Sequence, residues 1–126
     1  MSTRNKPEGY PAVSPYFLVP DADRFMHFVK TVFDAEEIMV YKDGAGRVMH
    51  AELRIDDSVI MLGNSTAVYP PQPGAVFMYV KDTDDTYRKA LAEGARPQEE
   101  PADKDYGRSA GVFDAFGNSW WFTSMQ

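Results

Sequence analysis

The chain has 126 residues, a net charge of −6 and no cysteine, with 44% hydrophobic and 25% charged residues. That length and balance suit one globular domain able to bury a core without a disulfide or a structural metal. The missing thiols exclude a disulfide framework, a cysteine zinc site and a thiol nucleophile, and fit a reducing cytoplasm. An acidic chain with no Lys/Arg cluster is a poor match for nucleic acid or an anionic membrane. The polar start Ser2-Thr3-Arg4-Asn5-Lys6-Pro7 leads to no apolar run of signal-peptide length, and no stretch reaches the length of a membrane span.

Residues 15–19, Pro-Tyr-Phe-Leu-Val, read as a buried strand. Asp21 then offers an N-cap, and Ala22, Phe25, Met26, Val29, Val32 and Phe33 follow at helical spacing. Glu36 to Tyr41 reads as a strand, Asp43-Gly44-Ala45-Gly46 as a turn, and Val48 to Ile55 as an alternating strand. Asp56-Asp57 makes a tight turn, and Ser58 to Leu62 returns. The run Tyr69-Pro70-Pro71-Gln72-Pro73-Gly74 inside 64–74 favours an extended linker. Val76 to Val80 is the next strand. Asp82 or Thr83 caps a helix carrying Tyr87, Ala90 and Leu91, which Gly94 ends. Residues 95–108 read as a short strand plus a loop, and Ala110 to Asp114 with Ser119 to Ser124 as a closing hairpin.

The order β-α-β-β-β thus occurs twice. Val19-Pro20-Asp21-Ala22-Asp23 matches Val80-Lys81-Asp82-Thr83-Asp84, and 51–62 matches 111–122, at nearly equal offsets. The fold class is α+β, in a single domain: unit one about 13–63, the linker 64–74, and unit two 75–126.

In each unit one sheet face lies under the helix, and the other needs cover from the second unit, a partner chain or a ligand. A two-residue turn at Asp56-Asp57 sets Ile55 against Ser58, Leu53 against Ile60 and Ala51 against Leu62, with Met49 on the same covered face. Arg54 with Val59, Glu52 with Met61, and His50 with Gly63 then fall on the opposite face. Ser14, Tyr16 and Leu18 join them, with counterparts Ala75, Phe77 and Tyr79. In unit two, Phe113, Trp120 and Phe122 are placed under the helix, and Val112, Asp114, Ser119, Trp121 and Thr123 on the other face. The expected ligand-binding residues are Tyr16, His50, Glu52, Arg54, Met61, Phe77, Tyr79 and Trp121. They make an aromatic lining with a few orienting polar groups, as small-molecule pockets have.

These segments resemble the vicinal oxygen chelate superfamily of glyoxalases, bleomycin-resistance proteins and extradiol dioxygenases, and within it the PhnB-like, glyoxalase-like proteins. Pro15-Tyr16-Phe17-Leu18-Val19, Val32-Phe33-Asp34-Ala35-Glu36-Glu37, His50-Ala51-Glu52-Leu53-Arg54-Ile55 and Asp57-Ser58-Val59-Ile60-Met61-Leu62 carry the resemblance. So do Tyr106-Gly107-Arg108-Ser109-Ala110-Gly111-Val112 and Asp114-Ala115-Phe116-Gly117-Asn118-Ser119-Trp120-Trp121. It implies paired βαβββ units forming a curved mixed sheet around a cavity, a homodimer, and a divalent metal held by His, Glu or Gln. The metal positions fall on Ser14, Met61, Ala75 and Trp121, none a usual ligand. The expectation is therefore no metal and no other cofactor.

His50 and Glu52 admit three roles: contact with a ligand, a structural cross-strand pair, or general acid–base catalysis. Tyr106, Gly107 and Arg108 read either as a lid that meets an anion or as a surface loop. His27 reads as a solvated surface residue, and Trp121 as a stacking plate or a dimer contact. The leading expectation is a metal-free protein that binds a small organic molecule, in the manner of the drug-sequestering members of the superfamily. The alternatives are a lyase-, isomerase- or dioxygenase-type enzyme using His50 and Glu52 or a displaced metal, and an interaction module that fills its own cavity.

Overall fold

A computed structural model describes residues 5–125; the polar start at Ser2 to Arg4 and the last residue, Gln126, lie outside the described residues. The elements are β1 (Tyr16–Val19), α1 (Ala22–Phe33), β2 (Glu36–Lys42), β3 (Val48–Ile55), β4 (Ser58–Asn64), β5 (Ala75–Tyr79), α2 (Thr83–Ala92), β6 (Arg96–Lys104), β7 (Gly107–Phe113) and β8 (Ser119–Ser124). This is α+β with two tandem βαβββ units. Their sheets run β1-β4-β3-β2 and β5-β8-β7-β6 and form an unclosed curved surface. Among the described residues no helix is long and apolar enough to cross a membrane.

The duplication extends to individual bonds. Asp21 and Asp82 cap their helices from extended backbone, each accepting from the backbone N–H three residues on at 3.1 Å. The next backbone N–H, of Ala22 and of Thr83, donates to the side chain that ends the last strand of its unit, Asn64 at 2.9 Å and Ser124 at 3.3 Å. β1 pairs with β4 in parallel through Tyr16 opposite Met61, and β5 with β8 through Phe77 opposite Trp121.

Both helices cover the same side of the sheets, and the two cores merge. Phe17 stacks on Trp120 with ring centres 5.5 Å apart, and Phe25, Phe28 and Phe33 of α1 also pack around that indole. Trp120 is fully buried, and Asp114 accepts its Nε1–H at 2.9 Å. An indole N–H sealed inside a core needs such a partner. Asp114 also accepts from the backbone N–H groups of Phe116 and Asn118 and from Asn118 Nδ2, so this carboxylate builds the turn of the last hairpin.

The Asp56-Asp57 turn is as expected: Asp56 has φ 53°, and Ala51, Leu53 and Ile55 face Leu62, Ile60 and Ser58. Other expectations are corrected. Val48, not Met49, fills the core, because a bulge where β3 meets Tyr41 and Lys42 turns Met49 outward. In the last hairpin, Val112 opposes Trp120 and Phe113 opposes Ser119. Val112 is therefore buried and Phe113 lies on the open face, the reverse of the expectation, because the turn Asp114 to Asn118 sets the register one residue differently. Asp114 faces the core rather than a ligand. Arg96 to Lys104 is a nine-residue strand rather than a short strand and loop. It tolerates Pro97 and Pro101 because it is an edge strand with register shifts.

Candidate functional site

The open face of the first sheet carries a continuous chain of polar contacts. Tyr16, at the start of β1, points away from the core that Phe17 and Val19 enter. Its hydroxyl lies 3.0 Å from His50 Nδ1. His50 Nε2 lies 2.8 Å from Glu52 Oε2, the two residues sharing a face of β3 as i and i+2. Glu52 Oε1 accepts a hydrogen bond from the Tyr10 hydroxyl. Met61, on β4, is paired with Tyr16 on one side and with Glu52 on the other, so it floors the cluster. On β2, Tyr41 stands opposite His50 and Met39 opposite Glu52; both are exposed.

Burial by itself would raise the Glu52 carboxyl, which is only 7% exposed, but the hydrogen bonds from Tyr10 and His50 outweigh it and hold the group below its ordinary value. Glu52 is therefore a carboxylate at neutral pH. An anionic Oε2 makes His50 Nε2 the donor, so neutral His50 keeps its proton there and Nδ1 accepts from Tyr16. Burial and then the nearby Glu52 charge raise the Tyr16 hydroxyl. The Tyr10 hydroxyl is raised by its bond to Glu52, then by burial and the carboxylate charge.

Sequence reasoning misses Tyr10. The segment before β1 turns at Pro7 to Tyr10, with Gly9 at φ 86°, and lies against the open face. Arg54 donates to the Gly9 carbonyl at 3.3 Å, so it ties this strap down rather than joining His50 and Glu52. The one signal for the strap is a lone aromatic among turn residues, Pro7-Glu8-Gly9-Tyr10-Pro11.

Phe77, Tyr79 and Trp121 come together on the second sheet. Phe77 is opposite Trp121, and the Phe77 and Tyr79 rings meet edge to face at 5.3 Å. Phe77 and Tyr79 are 50% and 66% exposed, leaving aromatic surface free for contact. Gly111 seats the Trp121 indole: a Cβ there would stand 2.7 Å from the ring. The eight expected residues thus form a polar cluster on one sheet and an aromatic cluster on the other, with Arg54 drawn to the strap. Arg108 is no lid. It lies in β7 and its guanidinium meets both oxygens of Asp84, at 2.8 and 3.1 Å, and Asp103 at 3.3 Å. His27 is exposed, with Nε2 3.0 Å from Glu93.

A cavity of about 330 Å³ lies elsewhere, between α1 and edge strand β2, lined by Asp23, Met26, His27, Lys30, Glu37, Val40 and Lys42. Its Lys30 and Glu37 neutralise each other at 2.6 Å, and none of the eight residues lines it.

The positions where the family resemblance implies a metal do not fit one. Ser14 offers a hydroxyl, Met61 a thioether, Trp121 an N–H that only donates, and Ala75 nothing. A hard divalent ion needs several carboxylate or imidazole donors. Among the described residues, no group of three or more His, Cys, Asp or Glu is placed to hold a metal.

An uncharacterised protein of Mycobacterium bovis is 30% identical over 122 residues, 87% of this chain and 80% of the relative. Among solved structures, the fold is similar to TnmS3, an antibiotic-binding protein of Streptomyces sp. CB03234, at TM-score 0.67 and 16% identity, covering 92% of this chain and 98% of that one. It is equally similar to FosX, a fosfomycin resistance protein of Listeria monocytogenes complexed with Mn(II), at TM-score 0.70 and 16% identity, covering 92% and 90%. At such identities the likeness is one of fold, and it covers both a binder and a metal-loaded protein. The model of the Glyoxalase/Bleomycin resistance protein/Dioxygenase superfamily matches residues 13–122, and the chain belongs to that superfamily.

Proposed function

We propose that the protein binds a small, flat organic molecule without a metal, on the open sheet faces that carry Tyr16, His50, Glu52, Met61, Phe77, Tyr79 and Trp121. The observation that carries this reading is the pairing of exposed aromatic surface with a fixed polar cluster where the superfamily's metal donors are replaced by Ser14, Met61, Ala75 and Trp121. Affinity needs an apolar floor and a few oriented polar groups, and both are present. A homodimer is part of the proposal: Met39, Tyr41 and Tyr79 are 40–66% exposed and gain by cover. Light scattering at micromolar concentration tests that part, and a monomer contradicts it.

One observation favours a second reading, an acid–base enzyme. His50 is held by an ionised Glu52 in the arrangement a general base uses. Two groups on one strand make only part of the constellation a reaction needs, so binding is preferred.

Trp121 makes the proposal measurable, because Trp120 is fully buried while Trp121 is partly exposed. Titration with 4-nitroanisole is expected to quench fluorescence saturably, and Trp121→Phe is expected to remove that quenching. Elemental analysis of protein purified without added metal is expected to find no stoichiometric transition metal. A stoichiometric metal, or quenching that rises linearly without saturating, overturns the proposal.

A further inference from the structure

His50 Nδ1 is a lone pair with a fixed direction. Its tautomer is set from behind by Glu52, which Tyr10 and His50 hold as an anion at 7% exposure. In front stands the hydroxyl of Tyr16 at 3.0 Å, on a side chain that is 49% exposed. That bond is a weak lock, since an exposed hydrogen bond exchanges readily with water or with another donor. A second hydroxyl brought to the place of Tyr16 Oη would donate to the same nitrogen.

The acidity of that incoming hydroxyl decides where its proton rests. The Tyr16 phenol is a poor acid, made poorer by burial and the Glu52 charge, so its proton stays on oxygen. A phenol or enol as acidic as an imidazolium, or more so, gives its proton up: the O–H bond breaks, an Nδ1–H bond forms, and no electrons are exchanged. The imidazolium is then held between Glu52 at Nε2 and the new oxyanion at Nδ1, so that both bonds join opposite charges, where before only the Glu52 side carried one. The groups around His50 agree with this. β1 brings Tyr16, β2 brings Tyr41, with Glu36 opposite Arg54 further along, β3 brings Glu52 and Arg54, β4 brings the uncharged Met61, and the strap brings Tyr10. Arg54, the cation named there, donates to the Gly9 carbonyl at 3.3 Å.

We infer that the Glu52–His50 pair is the recognition point for the acidic hydroxyl of a flat aromatic or enolic ligand, taken up as its anion with the proton left on His50. The inference rests on the proposed binding of a flat organic molecule and names the class of ligand. The aromatic side chains of Tyr16 and Tyr41 flank His50 and supply the apolar part of such a site; the Tyr16 and His50 rings are already 5.6 Å apart.

The test uses the full chain and 4-nitrophenol, whose anion is yellow and whose neutral form is not. At a pH below the probe's own pKa, binding is expected to raise the phenolate band. His50→Gln, checked for fold by its backbone amide spectrum, is expected to lose that band. The methyl ether 4-nitroanisole, which has no proton to give, is expected to bind saturably but about tenfold more weakly. Tyr16→Phe removes the competing hydroxyl and is expected to strengthen the band. If 4-nitrophenol and 4-nitroanisole bind the open face equally, with no phenolate band, this inference is overturned while the binding reading survives. If neither probe binds the open face, both are overturned.

Discussion

Three side chains decide the character of the site. Glu52 is the first. Its carboxyl lies below its ordinary value in the folded protein, so its contribution to stability is fully present above the unfolded carboxyl pKa. That contribution is lost as pH falls through the depressed folded value. Denaturant unfolding of the wild type is therefore expected to weaken more steeply on acidification than that of Glu52→Gln; equal slopes contradict the assignment. Asp114 is the second. It satisfies the Trp120 indole, the Asn118 amide and two backbone N–H groups. Asp114→Ala leaves those donors buried and unpaired, and is expected to cost about 2–4 kcal/mol in chemical denaturation, at the upper end because several donors are orphaned together. Tyr10 is the third: it completes the Glu52 site from outside the repeat, where neither periodicity nor the duplicated pattern points.

Strand register explains most of what is and is not legible in the sequence. The Asp56-Asp57 turn is two residues long, and counting outward from it places His50 and Glu52 on the open face, with Met61 opposite Glu52, as found. The same counting fails at Asp114 to Asn118, where a five-residue turn held by the Asp114 carboxylate interchanges Val112 and Phe113. It fails again at Met49, because alternation of apolar residues cannot show a bulge; Val48 and Met49 are equally apolar. Gly111 belongs to the same scale. Its lack of a side chain lets β7 carry the Trp121 ring, and no sequence pattern distinguishes a seat from a turn glycine. Gly111→Ala is expected to displace that indole: Trp121 emission shifts to the red, and stability falls by about 1–3 kcal/mol through overpacking. An unshifted spectrum contradicts the seat.

At the scale of the molecule, the repeat is readable because an Asp cap and a closing hairpin recur at nearly equal offsets. The fusion of the two halves is not, since Trp120 belongs to unit two while Phe17, Phe25, Phe28 and Phe33 that surround it belong to unit one. With one shared core, the chain is expected to unfold in a single transition, with far-ultraviolet circular dichroism and tryptophan fluorescence giving the same urea midpoint. Trp120→Ala is expected to destabilise both halves together by about 3–5 kcal/mol. Separate midpoints for the two halves contradict the shared core.

The same arrangement places both helices on one side and leaves the other side of the sheets without helical cover. The most direct test of that division is a fragment screen read by backbone amide chemical shifts of isotope-labelled protein. Flat aromatic fragments are expected to move the resonances of Tyr16, His50, Met61 and Trp121 saturably and to leave those of Met26 and Val40, beside the cavity between α1 and β2, in place. Saturable shifts confined to Met26 and Val40, or none at the open face with any fragment, contradict binding on the open sheet faces.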